Sequence, residues 1–75
     1  MNVFGEHFGE NLRRIRKSRR MSQVALARIS CLNSNQISNL ERGRYLPRLF
    51  TVQKAAEGLG VTVEELIKKT TPGGA

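Results

Sequence analysis

Phe8, Leu12 and Ile15 follow one another at steps of four and three, and Arg19 continues the series. That spacing marks one face of a helix from about Phe8 to Ser18. Residues 1–7 read as a short leader. Ser22 is placed to cap a second helix, about Gln23 to Ser30, with Val24, Leu26, Ala27 and Ile29 as its apolar content. Ser30-Cys31-Leu32 makes a turn with Leu32 inward. Asn33 then caps a third helix, about Ser34 to Arg42, whose inward residues are Ile37, Leu40 and Glu41. Gly43 ends it in a backbone that tolerates positive φ. Pro47 interrupts the loop Arg44–Arg48 and suits the approach to a fourth helix, about Leu49 to Leu59. That helix buries Val52, Ala55, Ala56 and Leu59, and Gly60 stops it. Thr62 and Glu65 have capping-box spacing and open a fifth helix, about Val63 to Lys69, around Leu66 and Ile67. Residues 70–75, with Pro72-Gly73-Gly74, read as a flexible tail. No segment alternates with period two for the length of a strand. The expected fold is all-α, with residues 8–69 forming one domain.

The size of the chain bears on what such a domain can do. A chain of 75 residues hides only about 60% of its unfolded surface, so it presents a surface more readily than a deep active site. That surface is basic: thirteen Lys and Arg stand against six Glu, a net charge of +7. Six of the thirteen cations lie between Arg13 and Arg20. Arg13 and Arg14 are adjacent and point in different directions, so not all of these cations can meet one partner. A large, clustered excess of this kind is the electrostatic footprint of nucleic-acid binding. An anionic membrane suits it less well, because Trp is absent and no long helix joins a bulky apolar face to a basic one. No apolar run approaches a membrane span, and no secretory signal opens the chain.

Chemistry is sparse. One cysteine, Cys31, and one histidine, His7, assemble neither an intrachain disulfide nor a four-ligand zinc site. Cys31 reads as a small buried thiol rather than a redox sensor. No nucleophile–base–acid set, glycine-rich phosphate loop or paired carboxylate spacing occurs, so no enzyme activity, cofactor, metal or small-molecule substrate is expected. The expected setting is the cytoplasm, at the nucleoid. The informative surface is on the third helix. Burying Ile37 and Leu40 turns Ser34, Asn35, Ser38 and Asn39 outward, and all four are short and polar. Asn can bond adenine through two hydrogen bonds, and Ser pairs less selectively. Ser22 and Gln23 stand at a helix N-terminus, where free N–H groups favour an anion. Gln36 lies on the flank of the third helix, within reach of a phosphate.

The series Gln23-x-x-Leu26-Ala27, Ile37-Ser38-x-x-Glu41-x-Gly43, Pro47 and Leu59-Gly60-Val61-Thr62 resembles the Cro/C1-type (XRE-like) helix-turn-helix domains, as does Phe8–Arg16. Phage repressors, restriction–modification controller proteins and antitoxins belong there. The resemblance implies a five-helix bundle of the lambda-repressor type with the third helix in the DNA major groove. It implies base contacts from Ser34, Asn35, Ser38 and Asn39. It implies a phosphate contact from Gln23 and a structural ion pair between Arg16 and Glu41. Ser22, Gln36, Arg42 and Arg44 are expected at phosphates from their places beside the second and third helices. Arg48 stands where the family has a capping Ser or Thr; a phosphate contact is expected of it, with a narrowed minor groove and solvent as the alternatives. The partner implied is double-stranded DNA, bound as a homodimer on a two-fold-related operator. The interface is expected on the fifth helix and exposed parts of the fourth, with Tyr45, Leu46 and Phe50 as further apolar contributors. The alternative is a protein-interaction module, an antitoxin or coactivator-like adaptor, on the same fold. Two departures stand at the turn: Cys31 replaces the usual Gly, and Ser30 replaces a bulky apolar residue.

Overall fold

Five helices follow one another in the computed structural model, which describes residues 3–44 and 46–69. They are α1 (Val3–Ser18), α2 (Gln23–Ser30), α3 (Ser34–Glu41), α4 (Leu49–Leu59) and α5 (Val63–Ile67). No strand occurs among the described residues, as expected from the sequence. The flexible tail assigned to residues 70–75 and the interface role of Tyr45 lie outside the described residues.

Local chemistry sets most boundaries. The Ser22 Oγ accepts the Ala25 N–H at 3.0 Å, opening α2. Asn33 and Gln36 form a reciprocal capping box at the start of α3, and Thr62 and Glu65 form another at α5. Three boundaries differ from expectation. Arg42 caps α3 rather than extending it, α5 stops at Ile67, and α1 begins at Val3, not Phe8. The added N-terminal turns of α1 pack on the end of α3: a Cβ added at Gly43 would lie 3.2 Å from the Glu6 Cα. Gly9 brings the α1 backbone against the end of α3, so close that an added Cβ would lie 2.4 Å from the Leu40 carbonyl oxygen.

The core is one cluster: Phe8, Leu12 and Ile15 of α1 meet Leu26, Ala27, Ile37, Leu40, Val52, Ala55, Ala56, Leu59 and Leu66. α1 packs on α3 and α5, α2 on α3 and α4, and α4 on α5. Arg19 does not continue the buried face; it lies exposed past the end of α1. Val24 and Ile29 are also exposed, at 54% and 52%, because Leu26 and Ala27 take the inward side of α2. Asn11 is fully buried on the core face of α1. Its Nδ2 donates to the carbonyls of Leu66 (2.9 Å) and Lys68 (2.8 Å), tying α5 to α1.

Four helices end in one way. Arg20, Cys31, Gly43 and Gly60 all adopt the left-handed conformation, with φ of 55°, 58°, 67° and 69°. Each N–H bonds three residues back, and the next N–H bonds five back, as in Leu32 N–H to Ala27 O at 2.8 Å. This is the Schellman motif, for which Gly is the relaxed residue. Arg20 and Cys31 hold it with a side chain, at a cost of about 1 kcal/mol each. Cys31 is exposed, not buried as expected from the sequence, because it stands at the left-handed cap beyond α2 and not on the helix's core face. Beside Cys31, the Ser30 hydroxyl is buried without a hydrogen-bond partner among the described residues. It sits against Gly58, where an added Cβ would come within 2.3 Å of the Ser30 Oγ. The missing bulk at position 30 is thus matched by a missing side chain on α4.

Arg16 and Glu41 join α1 to α3 as a two-pronged pair: Nε to Oε2 at 2.6 Å and Nη2 to Oε1 at 3.1 Å. Arg16 Nη1 also donates to the Met21 carbonyl at 2.7 Å, and Gln23 Nε2 donates to Glu41 Oε1 at 3.1 Å. Their side chains are only 10% and 4% exposed, so removing one partner strands a desolvated charge. Glu41→Ala is expected to cost about 3 kcal/mol. In a domain of this size that lowers the melting temperature on the order of 10–20 °C; unchanged thermal melting would show that the pair is not structural. Cys31→Gly is expected to raise stability by about 0.5–1 kcal/mol in urea unfolding, through relief of the left-handed strain. A loss of stability would mean that the thiol packs favourably enough to outweigh it.

Candidate nucleic-acid interface

α3 carries the candidate reading face. Ile37 and Leu40 are 0% and 1% exposed and fix the helix on the core. Helical spacing then turns Asn35, Ser38 and Asn39 away from them. Asn35 is exposed, while Ser34, Ser38 and Asn39 are half-buried. Ser34 falls toward the Glu41 flank of the helix by its spacing, so the four residues are not equally presented.

A cleft opens on each side of this helix. One, of about 260 Å³, is lined by Arg13, Arg16, Gln23, Ser38, Glu41 and Arg42. The other, of about 400 Å³, is lined by Gln36, Leu40, Leu46, Pro47, Arg48 and Thr51. The residues expected at phosphates therefore divide between the two flanks: Gln23 and Arg42 on one, Gln36 and Arg48 on the other. Arg44 is exposed just beyond α3. It follows Gly43 in the Schellman motif, where the equivalent residues Met21, Leu32 and Val61 pack against the core.

Several expected donors already have work inside the protein. Gln23 gives one amide hydrogen to Glu41. The Gln36 oxygen accepts the Asn33 N–H at 3.4 Å, leaving its amide N–H groups for an outside partner. The Ser22 oxygen caps Ala25, and its hydroxyl hydrogen remains available. Arg48 occupies the N-cap of α4 with no side-chain cap hydrogen bond. A guanidinium has no acceptor to offer the helix N–H groups, so both it and the helix end present donors.

Two contributors escape a reading of the sequence. Asn11 holds α5, and its signal is a polar residue three after Phe8 and four before Ile15, inside the apolar stripe. Arg13 lines the first cleft, one turn before Arg16 on the same face of α1. Its place among six clustered cations hides that distinction.

Comparison with known proteins agrees with this geometry. Residues 12–66 match the helix-turn-helix family HTH_3. The chain is 39% identical over 67 residues to the control protein C.BamHI of Bacillus amyloliquefaciens, covering 88% of this chain and 83% of that protein. It is 35% identical over 63 residues to the immunity repressor protein of Bacillus phage phi105, covering 84% of this chain and 44% of the repressor. The chain thus spans about half the length of that repressor, and 48% of the transcriptional repressor RghR of Bacillus subtilis. Among solved structures, the restriction–modification controller protein C.AhdI of Aeromonas hydrophila superposes with a TM-score of 0.79 at 32% identity, covering 83% of this chain and 94% of that one. With its central helix-turn-helix and this match over most of its length, the chain belongs to the HTH_3 family of helix-turn-helix domains, of the Cro/C1 (XRE) type.

Proposed function

We propose that the chain is a sequence-specific DNA-binding transcriptional regulator acting as a homodimer on a two-fold-related operator. The observation that carries this reading is the α3 face: short polar residues outward, with an arginine-lined cleft on each flank. In the proposed complex α3 lies in the major groove with Asn35 and Asn39 at base edges and Ser34 and Ser38 beside them. Ser22, Gln23, Gln36, Arg42, Arg44 and Arg48 meet phosphates and fix position without reading sequence. For Arg48 the uncapped α4 N-terminus favours the phosphate over solvent or the minor groove, since both present positive charge to one anion. The names of the relatives, a control protein and an immunity repressor, accord with this reading.

One module reads only a few base pairs, and two-fold symmetry doubles the site. The surface that supports a second copy is an apolar ridge: Leu46, Leu49 and Phe50 are 59%, 68% and 66% exposed. Lys54 lies over the Phe50 ring, 4.7 Å from its centre, and steadies it. No large apolar residue of α5 is exposed in this way among the described residues, so the ridge at the start of α4 takes precedence over α5 as the interface.

Selection from random-sequence DNA, followed by electrophoretic shifts at about 150 mM salt, is expected to yield a site bound at least about 1,000-fold more tightly than random DNA. Asn35→Ala and Asn39→Ala each lose about 1–3 kcal/mol of discrimination at one base pair, whereas Arg44→Ala weakens all sequences alike. Equal affinity for every sequence would sink the reading. Sedimentation at micromolar concentration is expected to show a dimer that Phe50→Glu dissociates; a wild-type monomer on its DNA site would remove the symmetric operator from the account.

A further inference from the structure

We infer that the cleft between α1 and α3 seats one DNA backbone phosphate, and that Arg13 is a positioning residue for docking, paired across the cleft with Arg42. This deepens the DNA-binding reading above and rests on it.

Charge makes the first part of the case. The cleft holds three arginines and one glutamate. Arg16 and Glu41 satisfy each other at 2.6 Å and drop out of the balance. Arg13 and Arg42 remain, and among the described residues no carboxylate pairs with either. Two uncompensated cations on opposite walls of a cleft of about 260 Å³ form a seat for a dianion or for a phosphodiester with its hydrogen-bond partners.

Donor geometry makes the second part. Gln23 gives one amide hydrogen to Glu41, which fixes the amide in the cleft and leaves its second hydrogen unassigned. The Ser38 hydroxyl lies on the same wall as Arg42. The first turn of α2 adds its N–H groups, of which the Ser22 side chain takes only that of Ala25. Every polar side chain lining the cleft can donate except Glu41, whose carboxylate is occupied by Arg16 and Gln23.

Helix periodicity singles out Arg13 from its neighbours. Gly9, Arg13 and Arg16 share one face of α1, and Gly9 presses that face against the Leu40 and Glu41 carbonyls. Arg14 turns aside and donates to Asn11 Oδ1 at 3.0 Å. Lys17 is exposed and does not line the cleft. A phosphate seated there touches α1, α2 and α3 together, and so sets the register of the recognition helix on the backbone without reading a base.

Two measurements on the intact chain test this, with Lys17→Ala as the neighbouring control. In DNA binding between about 50 and 200 mM salt, Arg13→Ala is expected to lower the log–log salt slope by about one. It should weaken specific and random DNA by the same factor, and Lys17→Ala should leave the slope unchanged. An unchanged slope in Arg13→Ala, or an equal loss in Lys17→Ala, overturns the assignment. Titration of the free protein with inorganic phosphate, followed by nitrogen-15 NMR at the Gln23 side-chain amide, is expected to give a saturable shift. Arg13→Ala weakens that shift and Lys17→Ala preserves it. No saturable shift overturns the seat even if DNA binds. A saturable shift in a protein that binds no DNA keeps the anion seat and overturns the DNA-binding reading, and with it the assignment to DNA.

Discussion

The Arg16–Glu41 pair is the interaction on which the rest of the molecule depends. A carboxylate 4% exposed takes two hydrogen bonds from a guanidinium 10% exposed and a third from Gln23. Those contacts come from the last turns of α1 and α3 and the first turn of α2. The pair therefore fixes the angle between the two helices of the helix-turn-helix and the helix that buttresses them. Buried ion pairs add little net stability over an apolar replacement, yet are costly to break on one side. Their contribution here is geometric: the same atoms that hold α3 also floor the cleft beside Ser38 and orient the Gln23 amide.

Around that point the fold repeats one economy. Helices α1 to α4 each end in a Schellman turn, and each next element starts from it. Two of these turns use Gly and two force a side chain into the left-handed region. The strained pair, Arg20 and Cys31, bracket α2, so the helix that carries the Gln23 amide is framed by the turns of highest local cost. The Ser30–Gly58 contact adds a buried hydroxyl without a partner at the same turn. The departures from the family pattern at Ser30 and Cys31 thus leave α3 on its core anchors, Ile37 and Leu40, while loosening the turn that leads to it.

Much of this can be read from residues alone, wherever the cause is local. The caps at Ser22, Asn33 and Thr62 act within three residues, and each stands where the pattern puts it. The apolar stripe of α4 and the outward polar face of α3 follow from helical period. What escapes depends on distant partners. The close approaches of α1 to the end of α3, at Gly9 and between Glu6 and Gly43, are contained in no local rule. Asn11 looks like a surface residue until the carbonyls of α5 meet it from 55 positions away. Val24 and Ile29 are exposed because the core meets α2 only on its Leu26–Ala27 side. The Arg16–Glu41 pair, 25 residues apart, is legible only through the family resemblance, because no periodicity links the two positions.

On the proposed reading, the Arg16–Glu41 pair sets the orientation in which α3 would meet DNA. A double-mutant cycle between Glu41→Gln and Asn35→Ala, read as affinity for the selected site against random DNA, tests it most directly. If the pair orients α3, the loss from Asn35→Ala shrinks in the Glu41→Gln background, with a coupling above about 0.5 kcal/mol although the two residues share no contact. Additive losses, with Glu41→Gln folded and reading bases as the native chain does, would show that α3 keeps its orientation without the pair.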